Sequence, residues 1–154
     1  MALLLVVNIH GAINSKDPVR KAMEELKVVR RFSASVVPDD ASTLGALRLC
    51  KDHVAWAPIE SGLLVDLLKK RGMISETKAL DSTSLKKMGY KDHQELAAKM
   101  IEGNLRLSAI DGLRPFFKLA PPRGGFKRSM RRANSDEGVL GSNPKLGDLV
   151  RRML

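Results

Sequence analysis

Ala2-Leu3-Leu4-Leu5-Val6-Val7-Asn8-Ile9 is the stretch on which the fold turns. Only Asn8 interrupts its apolar run. A membrane helix needs about 20 such residues, and a secretory leader needs a basic start, so this run is neither. Branched and long aliphatic side chains without alternation read as a buried strand. His10-Gly11 and Asn14-Ser15 follow with turn chemistry. A helix is expected next. Asp17 is placed to cap it and Pro18 to open it, with Val19, Ala22, Met23 and Leu26 on the apolar side and Arg20, Lys21, Glu24 and Glu25 in water. From Arg31 to Val36 apolar and small polar residues alternate before Pro38, which predicts a half-exposed strand. Asp39, Asp40, Ser42 and Thr43 can cap a short helix through Leu44, Leu47 and Cys50. Val54-Ala55-Trp56-Ala57, closed by Pro58, is a third strand, with Trp56 and Cys50 expected in the core.

This β-α-β-α-β order fills residues 1–60. Helical connections suggest parallel strands with helices over one sheet face, and leave the strand order open. Residues 61–112 read as a helical insert. Leu63, Leu64, Leu67 and Leu68 lie on one side of a helix ending in Lys69-Lys70-Arg71-Gly72, with cations over its last carbonyls. Two shorter helices follow, Ser84 to Met88 and His93 to Glu102, broken at Gly89. Residues 113–154 begin with a strand candidate at Phe116, Phe117 and Leu119, which Pro121-Pro122 must stop. Asn134 to Pro144 reads as loop, and Leu146 to Leu154 as a last helix weakened by Gly147.

Charge is distributed unevenly along the chain. The 154 residues carry 27 Lys and Arg against 17 Asp and Glu, net +10. Residues 113–154 alone hold ten basic and three acidic groups, a surplus of seven. From Arg114 to Arg132 there are seven cations and no acid, a spacing that a polyanion relieves. Within it Arg123, Lys127, Arg128, Arg131 and Arg132 surround Gly124-Gly125-Phe126, where the absence of Cβ atoms lets backbone approach a phosphate. The alternative for this arm is a flexible basic linker. Lys16, Arg20 and Lys21 beside the first turn add a second set of cations, and His10, between strand and helix, can donate to a phosphate. The six aromatic residues are too few for a single-strand stacking platform, so folded RNA read through phosphates, 2′-hydroxyls and shape is the better ligand. His10, His53 and His93 have no metal-ligand spacing, one cysteine excludes an internal disulfide, and neither a cofactor nor a catalytic group is expected.

Four stretches, in order, resemble a known family. They are Asn8-Ile9-His10-Gly11 followed by Val19-Arg20-Lys21; Val54-Ala55-Trp56 followed by Lys70-Arg71-Gly72; Pro115-Phe116-Phe117-Lys118-Leu119 with Pro122-Arg123-Gly124-Gly125; and Leu149-Val150-Arg151-Arg152-Met153. Together they are similar to large-subunit ribosomal protein thirty in its archaeal long form, the family that eukaryotes number seven. The resemblance implies an α+β, ferredoxin-like core: a three-stranded antiparallel sheet of order 3-1-2 with two helices on one face, replacing the parallel expectation. It also implies a structural subunit of the cytoplasmic ribosome. The partners would be large-subunit (23S-type) rRNA near the 5S rRNA region and neighbouring ribosomal proteins, with no membrane and no small-molecule substrate. His10 stands where many members carry Arg, and Leu44-Gly45-Ala46 where they carry Arg-Gly-Met. The competing readings are a small enzyme that holds a phosphorylated substrate on the arm, and a free-standing nucleic-acid-binding protein.

Overall fold

In the computed structural model, which describes residues 2–154, the chain runs β1 (Leu3–Asn8), α1 (Asp17–Glu25), β2 (Ser33–Pro38), α2 (Ala41–Leu49), β3 (Val54–Pro58), α3 (Ser61–Arg71), α4 (Ser82–Lys87), α5 (His93–Gly103), β4 (Phe117–Lys118), β5 (Ser129–Ala133), β6 (Gly138–Ser142) and α6 (Leu146–Met153). This is a mixed α+β fold on one sheet, ordered β4-β2-β1-β3-β6-β5. β1 lies between β2 and β3 and is antiparallel to both, with Val6 opposite Ser35 on one side and Trp56 on the other. The connection through α1 therefore returns to the end of the sheet where β1 finishes, and the one through α2 crosses over past β1, so neither makes parallel neighbours.

The sheet has six strands where three were expected, because residues 113–154 supply the other three. β4 extends the β2 edge. β6 runs parallel to β3 after a connection that includes α3, α4 and α5, long enough for the crossover that parallel pairing requires. β6 falls in the stretch that reads as loop from sequence. Gly138-Val139-Leu140-Gly141-Ser142 has too little apolar periodicity to announce a strand, and pairing with β3 makes it one.

Both faces of β1 are covered, which accounts for its unbroken apolar run. Leu4 and Val6 pack with Ala22, Met23 and Leu26 of α1 and with Ala46, Leu47 and Cys50 at α2. Leu3, Leu5, Val7 and Ile9 pack on the opposite side with α3, α5 and α6, through residues such as Leu64, Met100 and Val150. The second face is thus closed by the insert and the C-terminal helix.

β2 is buried along its length and not half-exposed. Its serines hide because each hydroxyl reaches a carbonyl: Ser35 Oγ donates to Pro115 O at 3.0 Å, and Ser33 Oγ to Arg30 O. Trp56, expected as a core anchor, is only half-buried, against the α1–α2 side. Cys50 is fully buried. Asp17 is the first residue of α1, and Lys16 takes the cap position. Gly72 ends α3 because a Cβ there would overlap the Leu68 carbonyl. Among the described residues, no helix is long and apolar enough to cross a membrane.

Candidate nucleic-acid interface

Asn8, the one amide in the apolar strand, organises the end of the sheet where β1 finishes and β2 and β3 begin. It is fully buried. Its Nδ2 donates to Val28 O at 2.6 Å and Val29 O at 3.3 Å, and its Oδ1 accepts from the Gly11 backbone at 2.7 Å. One side chain therefore ties the loop after β1 to the loop after α1. His53 O accepts from the Ile9 and His10 backbones, adding the loop before β3. Arg31 Nε donates to Ile9 O at 3.0 Å, and its guanidinium lies 4.7 Å above the Phe32 ring.

The basic arm folds back onto these loops. His10 Nε2 donates to Met130 O at 2.6 Å, which sets its tautomer and directs it at the arm. Phe126 stacks on Phe32 with ring centroids 6.2 Å apart, and is half-buried by that contact. The turn at residues 122–125 is closed by Gly125 N donating to Pro122 O at 3.0 Å, with Gly124 at φ 77° and Gly125 at φ 71°. Two successive left-handed residues favour glycine strongly. Nothing lies within 4 Å of where their Cβ atoms would be, so the outer side of the turn is open. Arg152 of α6 pins the turn from below: its Nη1 donates to Gly125 O at 3.0 Å and Arg123 O at 3.3 Å, and its own carbonyl accepts from Arg123 N.

Arg123, Lys127, Arg128, Arg131 and Arg132 are all exposed. So are Lys16, Arg20 and Lys21, which sit at the start of α1, after the His10 loop. The ion pairs among the described residues are Lys99–Glu95, Arg114–Glu76, and Arg151 with Glu60 and Asp148. None uses these eight cations, so their charge faces solvent uncompensated. Sequence reasoning missed Asn8 and Arg31 as positioning residues. The signal for Asn8 was a lone amide inside an aliphatic strand, which must find partners when buried.

Among the described residues no three His, Cys, Asp or Glu side chains gather as metal ligands. Burial pushes the Cys50 thiol up to about 11, so it stays protonated.

No family model matches the chain. Full-length relatives do. It is 38% identical to large ribosomal subunit protein uL30 of Thermofilum pendens over 156 residues, covering 100% of both chains. The protein of that name from Nitrosopumilus maritimus is 37% identical over 98% of this chain and 97% of its own. The one from Ignicoccus hospitalis is 37% identical over 99% and 98%. Identity at this level over whole chains on both sides means that the chain belongs to the large ribosomal subunit protein uL30 family.

Proposed function

We propose that this protein is a non-catalytic constituent of the large ribosomal subunit in the cytoplasm, where it binds large-subunit (23S-type) rRNA through phosphates and shape. The observation that carries this reading is the cationic arm held against the His10 loop, with Arg123, Lys127, Arg128, Arg131 and Arg132 all left without an acidic partner. His10, Lys16, Arg20 and Lys21 contact RNA on one side, and Arg123, Gly124, Gly125, Phe126, Lys127, Arg128, Arg131 and Arg132 on the other. Residues 1–60 are read as a ferredoxin-like scaffold, 61–112 as a helical insert that closes its second face, and 113–154 as the RNA-binding extension. The 5S rRNA region and neighbouring ribosomal proteins adjoin this surface. The enzyme reading has no observation in its favour, since the one thiol is buried and protonated.

The test is affinity for deproteinised archaeal large-subunit rRNA across a salt series. Replacing Arg123, Lys127, Arg128, Arg131 and Arg132 by Gln should lower the log–log salt slope by roughly 3.5 to 4.5, at about 0.7–0.9 per phosphate. Gly124→Val and Gly125→Val should weaken binding with most of the slope intact, because they block the left-handed turn and the close approach without removing charge. An unchanged slope in the neutralised protein would make the arm a linker and move the RNA surface elsewhere.

A further inference from the structure

A second cationic cavity, of about 360 Å³, opens beside the loop after α1. Lys27, Arg30 and Arg114 bring three positive charges to its wall, and Glu24 is its one acid. Val29, Pro115 and Phe116 give it an apolar floor. Its walls are fixed by backbone contacts. Arg114 N donates to Met73 O at 2.8 Å, the Pro115 carbonyl accepts from Ser35, and Lys27 is held at φ 61° by Lys27 N and Val28 N bonding back to the end of α1. These two bonds are the Schellman ending of α1, with Lys27 as its left-handed residue, so the position of this wall is set by the helix.

Arg114 is the unusual group. Its guanidinium lies 5.2 Å from the centre of the Phe116 ring. Its Nη2 reaches only Glu76, at 3.3 Å, a carboxylate whose side chain is 79% exposed. Its Nη1 is out of contact with solvent and has no hydrogen-bond partner. An orphaned donor on a charged group is unfavourable, so Arg114 has an unspent hydrogen bond to offer a ligand that comes within its reach. The planar guanidinium above a phenyl ring is also a surface on which a nucleobase stacks.

We infer that this cavity receives one unstacked nucleotide of the bound RNA, its phosphate on Lys27, Arg30 and Arg114 and its base on the Arg114–Phe116 stack. The inference rests on the RNA-binding reading above and adds a second site to it. A flat apolar floor next to cations fits a base with its phosphate. An acidic peptide would leave that floor unused and would meet Glu24 as a repelling charge, whereas Glu24 can accept from the N–H groups of a base. Arg30 on the cavity wall stands two residues before Phe32, on which the arm stacks.

The experiment uses the full chain on deproteinised archaeal large-subunit rRNA, with base-modification probing of the RNA and a salt series for each variant. Phe116→Ala should weaken binding roughly 5- to 100-fold with an unchanged salt slope, as loss of one stacked base does. Lys27→Gln with Arg30→Gln, both at exposed positions, should lower the slope by about 0.7–0.9, one phosphate's share. Both should expose the same single nucleotide to modification, while protections lost in the arm-neutralised protein stay in place. Thermal melts identify any variant that has lost its fold, and the Lys27/Arg30 pair then decides alone. If the wild type binds this RNA through the arm but the cavity variants keep its affinity, slope and protections, the cavity site is wrong and the RNA-binding reading stands. If the wild type does not bind, both fail. Cavity variants that bind RNA normally yet do not enter the subunit would give the cavity to a protein neighbour and overturn the inference.

Discussion

Replacing Asn8 tests whether one buried amide holds the interface together. In Asn8→Ala the Val28 carbonyl and the Gly11 N–H, both in buried residues, lose their partners at 2.6 and 2.7 Å. Each orphaned buried group costs about 1–3 kcal/mol, so the loss should be about 2–6 kcal/mol, near 4. Stability falls out of urea unfolding curves read as a two-state transition. Asn8→Asp gives a sharper signature. Its carboxylate can still accept from Gly11, but it faces the Val28 carbonyl where Nδ2 had donated, and burial raises its pKa above the ordinary value of about 3.9. A carboxyl whose folded pKa is raised has its full stability below the unfolded pKa and loses it as pH rises through the folded one. Asn8→Asp should therefore lie closer to wild type at pH 4 than at pH 7. A loss below about 1 kcal/mol in Asn8→Ala, or an Asn8→Asp deficit that does not change with pH, would refute the hub.

Arg152→Ala should cost about 1 kcal/mol of stability, the worth of exposed hydrogen bonds, while hydrogen exchange at Arg123 and Gly125 quickens and RNA affinity falls by more than one lost charge explains. Unchanged exchange would mean that α6 does not hold the turn. Cys50 should resist alkylation at neutral pH until the chain unfolds. Because its folded pKa of about 11 exceeds the thiol's ordinary value of 9.0, its contribution is complete below about pH 9 and is lost as pH rises toward 11. Cys50→Ala should lack that alkaline loss in a melt series. Trp56→Ala should cost roughly 2 kcal/mol by thermal melt, less than the 3–5 of a fully buried aromatic, since the ring is half-buried.

The parts legible in the sequence were those where local pattern and tertiary environment agree. The run around Leu3–Asn8 could only be buried, and the spacing of Ala22, Met23 and Leu26 could only be one side of a helix. The chain misleads where side-chain chemistry is settled by distant partners. Ser33 and Ser35 look like an exposed face until the carbonyls of Arg30 and Pro115 absorb their hydroxyls. Gly138 to Ser142 becomes a strand only because β3 offers an unpaired edge. At the candidate site, charge density marked the arm, since no core can absorb seven cations without acids. It carried no information about where the arm lies. His10 and Phe126, proposed as RNA contacts, also hold the arm in place, one bonded to Met130 and the other stacked on Phe32.

That arrangement gives the C-terminal charge its place. The arm is far in sequence from the His10 loop, and exposed basic segments repel one another, so electrostatics alone would hold them apart. Short-range chemistry overrides the repulsion. β6 pairs with β3, α6 seals the sheet's second face, and Arg152, itself a cation, grips the turn by donating to its carbonyls. The imidazole of His10 adds to this by donating one hydrogen bond to Met130 O, next to Arg131 and Arg132 in the chain. The fold thus concentrates uncompensated charge at one end of the sheet before any polyanion arrives, and the proposed binding of RNA there would release that repulsion.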